Sequence, residues 1–163
     1  MDSVLNYRKH LLLAGVLFTL HNTEEAFGFS RFVYPSHILS PIPTTAGMIA
    51  AIAIITVIVW GILLWAYWQP NQSIKRNILS IVSAVFLFNA FIPHIVEAIV
   101  LQRYFPGVVT ATLLFLPFSL WILPKLYRAF PNRSLFYRVV STGLLLTLLL
   151  MLLLQGISKL IWG

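Results

Sequence analysis

Residues 45–68 read TAGMIAAIAIITVIVWGILLWAYW, 24 positions without one charged side chain. Roughly 20 apolar residues in a helix cross the hydrocarbon layer of a bilayer. In lipid the backbone must satisfy its own polar groups, which only helices and closed barrels achieve. The stretch is too long and too evenly apolar for a strand, so it commits the chain to an all-α membrane fold. Four other stretches have related character: about Arg8 to Phe29, Asn77 to Gln102, Gly107 to Leu123, and Leu135 to Trp162. Pro70, Pro106, Pro124 and Pro131 punctuate the connections, where a residue lacking a backbone N–H is tolerated. The expectation is a single domain over residues 1–163, an integral membrane bundle of five transmembrane helices.

Composition agrees. The chain is 60% hydrophobic and 9% charged, with mean hydropathy +0.91, whereas a soluble domain carries about 25% charged residues. There are no cysteines, which excludes disulfides and thiolate ligands. The formal charge of +7 is scattered between apolar runs. It reads as topology signals and contacts to lipid headgroups, and the short loops leave no basic face for nucleic acid. YRKHLLLAGVLFTL begins like a signal peptide, yet no small-residue cleavage site follows, so it is expected to persist as the first helix.

Lysine and arginine set orientation. Arg8, Lys9, Lys75, Arg76, Lys125, Arg128, Arg133 and Arg138 fall on one side; Arg31, Arg103 and Lys159 fall on the other, eight against three. This places the N-terminus in the cytoplasm and the protein in a cytoplasmic membrane. The long first connection, SRFVYPSHILSPIPTT, is expected on the outer surface or folded back as a lid, with His37 an interfacial side chain.

Polar residues inside the first and third segments carry the chemistry. HNTEEAFGFSRF begins at His21 and PHIVEAIVLQRY at Pro93. Each has a histidine, then Glu-Ala, four residues, and Arg before an aromatic ring. The echo suggests an internal duplication, helices one and two matching three and four. In a helix, positions i, i+3 and i+4 share a face. His21, Glu24 and Glu25 therefore point one way, and His94 and Glu97 another common way, with Asn89 and Pro93 stacked beside them. Both glutamates lie about 9 Å inside the outer ends of their helices, at 1.5 Å per residue.

An ionisable side chain at mid-membrane costs at least ~2.5 kcal/mol on insertion scales. Three glutamates and two histidines stand together only if they face inward and share a partner. Imidazole and carboxylate are ligands for zinc and iron, and paired Glu and His residues on facing helices build di-metal sites. His21, Glu25, His94 and Glu97 are the expected ligands of a divalent metal, zinc or iron. Asn89 is the expected further cofactor-binding residue and Glu24 the expected general base. Hydrogen bonding that merely fixes packing, metal-free acid/base chemistry and a proton path use the same residues. The membrane threonines and serines, Thr56, Thr110 and Ser119 among them, are expected to bond their own helix carbonyls. Gln155 is expected to join helix five to a neighbour. Asn22 is expected at most beside the site.

His21-Asn22-Thr23-Glu24-Glu25 resembles the signature of the HXXEE-domain family, small prokaryotic multi-pass membrane proteins. NAFIPHIVEAIVLQRYFPGVVTATLLFLP, residues 89–117, is similar to that family's second block. The resemblance covers most of helices one to four and none of helix five. It implies that His21, Glu24, Glu25, Asn89 and His94 define the family's site, and it implies no particular activity.

The reading that follows is a metal-dependent membrane enzyme, a hydrolase or a di-metal oxidoreductase, acting on a lipid-like substrate that enters from the bilayer. The alternatives are a proton or divalent-cation transporter or channel, which would have to assemble as a homo-oligomer, and a haem- or pigment-binding accessory subunit.

Overall fold

The structure is a computed structural model that describes residues 5–32 and 45–162, with side chains to residue 153. Five helices account for the described residues: α1 (Tyr7–Phe29), α2 (Thr45–Trp68), α3 (Gln72–Leu101), α4 (Val108–Ala129) and α5 (Arg133–Trp162). The first connection, with His37, lies outside the described residues, as do the side chains of Gln155 and Lys159.

The starts of α1, α3 and α5 follow from capping chemistry. Asn6 accepts from the Lys9 N–H at 3.2 Å, Asn71 from Ser73 N–H at 2.8 Å, and Asn132 from Ser134 N–H at 2.7 Å. Each satisfies one of the orphan donors of a first turn. Asn71 moves the start of α3 to Gln72, earlier than the Asn77 that hydropathy alone indicates. At the other end, α4 runs through Pro124 to Ala129. That corrects the expectation that Pro124 ends the helix. The proline costs one rung of the ladder, but the turn beyond it is held by Leu126, which is fully buried, and by Lys125 lying 3.8 Å over the Trp121 ring.

α3 is the axis of the bundle and packs against all four other helices, while α1 packs on α2 and α2 on α5. Two hydrogen bonds lock α1 to α2. Trp60 Nε1 donates to Thr19 Oγ1 at 2.8 Å, and Asn22 Nδ2 donates to Thr56 Oγ1 at 2.6 Å. The Trp60 ring covers Gly15 so closely that a Cβ there would sit 2.6 Å from it. Near the middle of the bundle Phe18, Phe86 and Phe115, from α1, α3 and α4, form a parallel stack whose tightest pair has centroids 3.8 Å apart. This aromatic layer underlies the polar site described below.

Four helices, α2 to α5, are long and apolar enough to cross a membrane, and α1 is not among them. By length and composition, the count among the described residues is thus four, against the five expected. α1 spends part of its length on His21, Asn22, Thr23, Glu24 and Glu25, and those residues lower its hydropathy below that of its neighbours.

α3 is not a continuous α-helix. Residues Ala90–Ile95 form a widened π-type turn, Ile92 has non-helical angles (φ −124°, ψ 113°), and the Ile92–Pro93 peptide is cis. Pro93 has no N–H to donate, and its ring excludes the regular geometry. α4 has a similar widened turn at Ala111–Phe115, whereas α1 and α2 contain none. The two proposed halves therefore differ where the repeat would make them match.

Candidate functional site

His21 sits four turns into α1 and is 1% exposed; His94 follows Pro93 in the widened turn of α3 and is also 1% exposed. Their rings meet edge to face with centroids 4.6 Å apart, and His21 tilts over Phe115 at 4.3 Å. The π-type turn makes this meeting possible. It sets Asn89 and His94, five residues apart, on one side of α3, where a regular helix would align Asn89 with Pro93. The Asn89 amide nitrogen then lies 3.1 Å from His94 Nε2 and 3.3 Å from His21 Nε2.

Counting protons fixes the state of both rings. His94 Nδ1 is 2.8 Å from the Pro106 carbonyl oxygen, which can only accept, so Nδ1 carries the hydrogen and Nε2 a lone pair. For His21 the argument runs through Thr110. The Thr110 hydroxyl donates its one hydrogen to Glu24 Oε2 at 2.5 Å, and its oxygen lies 2.9 Å from His21 Nδ1. Having given its hydrogen away, that oxygen accepts the Nδ1–H, and His21 Nε2 is left with a lone pair. Both imidazoles thus turn a bare Nε2 toward the same point. The two hydrogens of the Asn89 amide suit this arrangement.

Glu24 has a different role from the expected general base. It accepts from the backbone N–H groups of Val109 (3.2 Å) and Thr110 (2.7 Å), from the Thr110 hydroxyl, and from the Tyr104 phenol at 2.9 Å. All its strong acceptor positions are engaged. Glu24 caps the first turn of α4 from another helix, where the orphan N–H groups and the helix dipole both favour a carboxylate. Partial burial, then the Glu24 hydrogen bond and charge, push the Tyr104 phenol up to about 12, so it stays a donor.

Glu25 is the acid that faces the histidines. One residue further along α1 turns it about 100° from Glu24. It is 8% exposed, and a carboxylate oxygen, a His21 nitrogen and a His94 nitrogen all lie within 4.8 Å of one another. Among the described residues, no donor is hydrogen-bonded to this carboxyl group. A cavity of about 40 Å³ adjoins it, lined by Phe18, His21, Asn22, Asn89 and Phe115 among others. That space holds one or two waters at most.

Glu97 does not join the group. It follows the break in α3, on the regular segment Val96–Leu101, and is only partly buried. The residues between His94 and Glu97 are helical, so the i+3 step leaves Glu97 about 60° around the helix from His94.

Two residues outside the His/Glu pattern help build the site. Gly107 has φ +86°, and a Cβ on it would lie 2.6 Å from His94 Cε1 and 2.9 Å from His21 Cε1. Only glycine suits both the left-handed backbone and the space against the two rings. Thr110 departs from the expectation that the membrane threonines bond their own helix. Thr56, Thr142 and Thr147 do so, but Thr110 links Glu24 to His21, and Ser119 donates to the Ser83 carbonyl of α3.

The donor set fits a divalent ion. Two neutral imidazole nitrogens and one carboxylate form the set found in His₂Glu zinc enzymes and in the facial triad of non-haem iron. With metal–ligand bonds of about 2.1 Å, tetrahedral ligand atoms stand about 3.4 Å apart. The observed group needs only a modest contraction, with the Asn89 amide withdrawing or turning its oxygen inward.

Comparison with known proteins agrees with the site's motif. The chain is 25% identical over 109 residues to "Uncharacterized protein YrkK" of Bacillus subtilis (strain 168), covering 67% of this chain and 69% of that protein. No solved structure matches it significantly. The family described as "Protein of unknown function with HXXEE motif" matches residues 12–122, a stretch that contains every side chain of the His/Glu site. The chain belongs to this HXXEE family.

Proposed function

We propose that the protein is a metal-dependent membrane enzyme in which His21, Glu25 and His94 hold one divalent ion, zinc or iron, and which acts on a lipid-like substrate. The observation that carries this reading is the Glu25 carboxyl group. It is 8% exposed, and one of its oxygens lies within 4.8 Å of a nitrogen of each of two imidazoles that the Pro106 carbonyl and Thr110 hold in place. An ionised carboxylate without a partner in such a place costs several kcal/mol, and a divalent cation offsets that cost directly. Three protein ligands leave a coordination position open, as catalytic sites require.

A bound ion would supply Lewis-acid polarisation of a carbonyl or phosphoryl oxygen, or redox chemistry if it is iron. The protein's own residues orient the rings through Pro106 and Thr110 and floor the site with the Phe18–Phe86–Phe115 stack. They also keep bulk water out, since the adjoining cavity is small. The lipid-like substrate follows from the position of the site among helices whose outer faces are apolar. In this reading α1 crosses the membrane with the other four helices, its acids covered by α3 and α4, and the N-terminus is cytoplasmic.

The test is elemental analysis of the purified protein, wild type against His94→Ala and Glu25→Gln, after loading with zinc and with ferrous iron. One equivalent in the wild type and almost none in either variant is expected. Near-zero metal in all three would overturn the reading. Cation flux through proteoliposomes that disappears in Glu25→Gln would favour a transporter instead.

A further inference from the structure

A groove of about 590 Å³ runs between α1 and α2, away from the cavity beside Glu25. Thr19, Thr23, Ser30 and Thr56 line it, yet each hydroxyl already donates inside the protein: to the carbonyls of Gly15, Thr19, Phe27 and Ile52. The groove therefore offers methyl and methylene surface, and it invites no polar ligand. Its neighbours on α2, Val57 (72% exposed) and Ile58 (54%), are apolar side chains left open on a helix fit to cross the bilayer. Such a surface suits a hydrocarbon chain.

Two features set this groove apart from an ordinary lipid-facing crevice. Asn22 and Ile52 line both the groove and the buried cavity, and they are 7% and 4% exposed. A single layer of side chains, pinned by the Asn22–Thr56 hydrogen bond, is all that separates them. Second, Phe27 lines both the groove and an open pocket of about 530 Å³ that contains Glu24, Arg31 and Tyr104; the Glu24 carboxylate is taken up by its hydrogen bonds from Tyr104, Val109 and Thr110. An apolar channel thus continues into a polar mouth holding a cation at the end of α1.

We infer that the α1–α2 groove seats the hydrocarbon chain of a single-chain anionic amphiphile. Its head lies at the Arg31 mouth, and the Asn22–Ile52 partition is its way to the buried site. This rests on the reading of that site as acting on a lipid-like substrate, and it names the substrate class.

The probe is a fatty acid carrying a mid-chain diazirine, in phosphatidylcholine vesicles containing the full-length protein. Adducts are mapped by mass spectrometry after illumination. Labelling is expected to concentrate on Ala26, Ala53 and the cavity residue Ile55, several-fold above Leu145 and Leu149 on the outer face of α5. Ile52→Trp is expected to abolish the Ile55 adducts while leaving those on α5, which report a folded protein. A diazirine alcohol of equal length is expected to label the groove less, with the difference vanishing in Arg31→Gln. Labelling spread evenly over the lipid-facing helices overturns the proposal, as does groove labelling that never reaches Ile55. His94→Ala separates this from the metal reading: groove adducts that persist alongside unchanged, near-zero metal would sink the metal site and leave the chain site standing.

Discussion

Replacing Thr110 by valine preserves shape and removes one hydroxyl, and two consequences follow from the geometry. The His21 Nδ1–H loses its acceptor at 2.9 Å, and Glu24 loses the shortest of its four hydrogen bonds. A buried donor left unsatisfied costs about 1–3 kcal/mol, and a lost bond to a charged group roughly 1.5–3 kcal/mol. Glu24 is only partly buried and recruits water, so its share falls at the low end, and the combined loss is about 2.5–4.5 kcal/mol. The ring has one escape, which is to move its hydrogen to Nε2. That removes the lone pair a metal needs, and loss of such an orienting partner lowers metal affinity roughly 10–100-fold. The assay is ¹⁵N-histidine NMR of the protein in micelles, paired with zinc titration against a chelator of known affinity. Thr110→Ser should restore the wild-type tautomer and affinity. If Thr110→Val keeps the His21 tautomer and binds zinc as the wild type does, the Glu24–Thr110–His21 chain does not set the state of the ring.

Other perturbations probe the site from different sides. Gly107→Ala adds left-handed strain of about 1–2 kcal/mol and drives a methyl group into both imidazoles; thermal unfolding in detergent should fall by more than the strain alone, and an unchanged midpoint would contradict the packing described here. Glu97→Gln should leave metal content unaltered and stability within about 0.5 kcal/mol, because the residue stands apart from the His/Glu group; loss of metal would show that it is a ligand. Tyr104→Phe removes a phenol whose folded pKa of about 12 exceeds its free value of about 10. The folded state binds that proton more tightly, so the associated stability is present below pH 10 and fades as pH rises toward 12. The wild type should show that alkaline loss in unfolding experiments and Tyr104→Phe should lack that component; identical alkaline profiles would refute the contact with Glu24.

Much of the fold was legible because bilayer thickness and backbone hydrogen bonding leave few choices. The α2 boundaries, Thr45 and Trp68, match the sequence reading residue for residue. The convergence of His21, Glu25 and His94 was also legible, since i and i+4 on α1 stay aligned. The shared-face rule was too coarse for Glu24, which sits about 60° to one side of His21 while Glu25 sits about 40° to the other. That difference sends one acid to the start of α4 and the other to the histidines. Pro93 signals a break in α3 but not that the break pairs Asn89 with His94. The contribution of Gly107 depends on two rings arriving from α1 and α3; the family's second block contains this glycine, but its spacing does not say what it packs against. Its neighbour Pro106 was read as punctuation, yet the Pro106 carbonyl sets the tautomer of His94.

X-ray absorption at the metal edge of the loaded protein addresses the central claim most directly. Two imidazole nitrogens and at least one oxygen at about 2.0–2.2 Å, with ring scattering from both histidines, are the result expected of the proposed site. A spectrum showing only oxygen neighbours, or a protein that retains no ion to measure, would contradict a metal held by His21, Glu25 and His94.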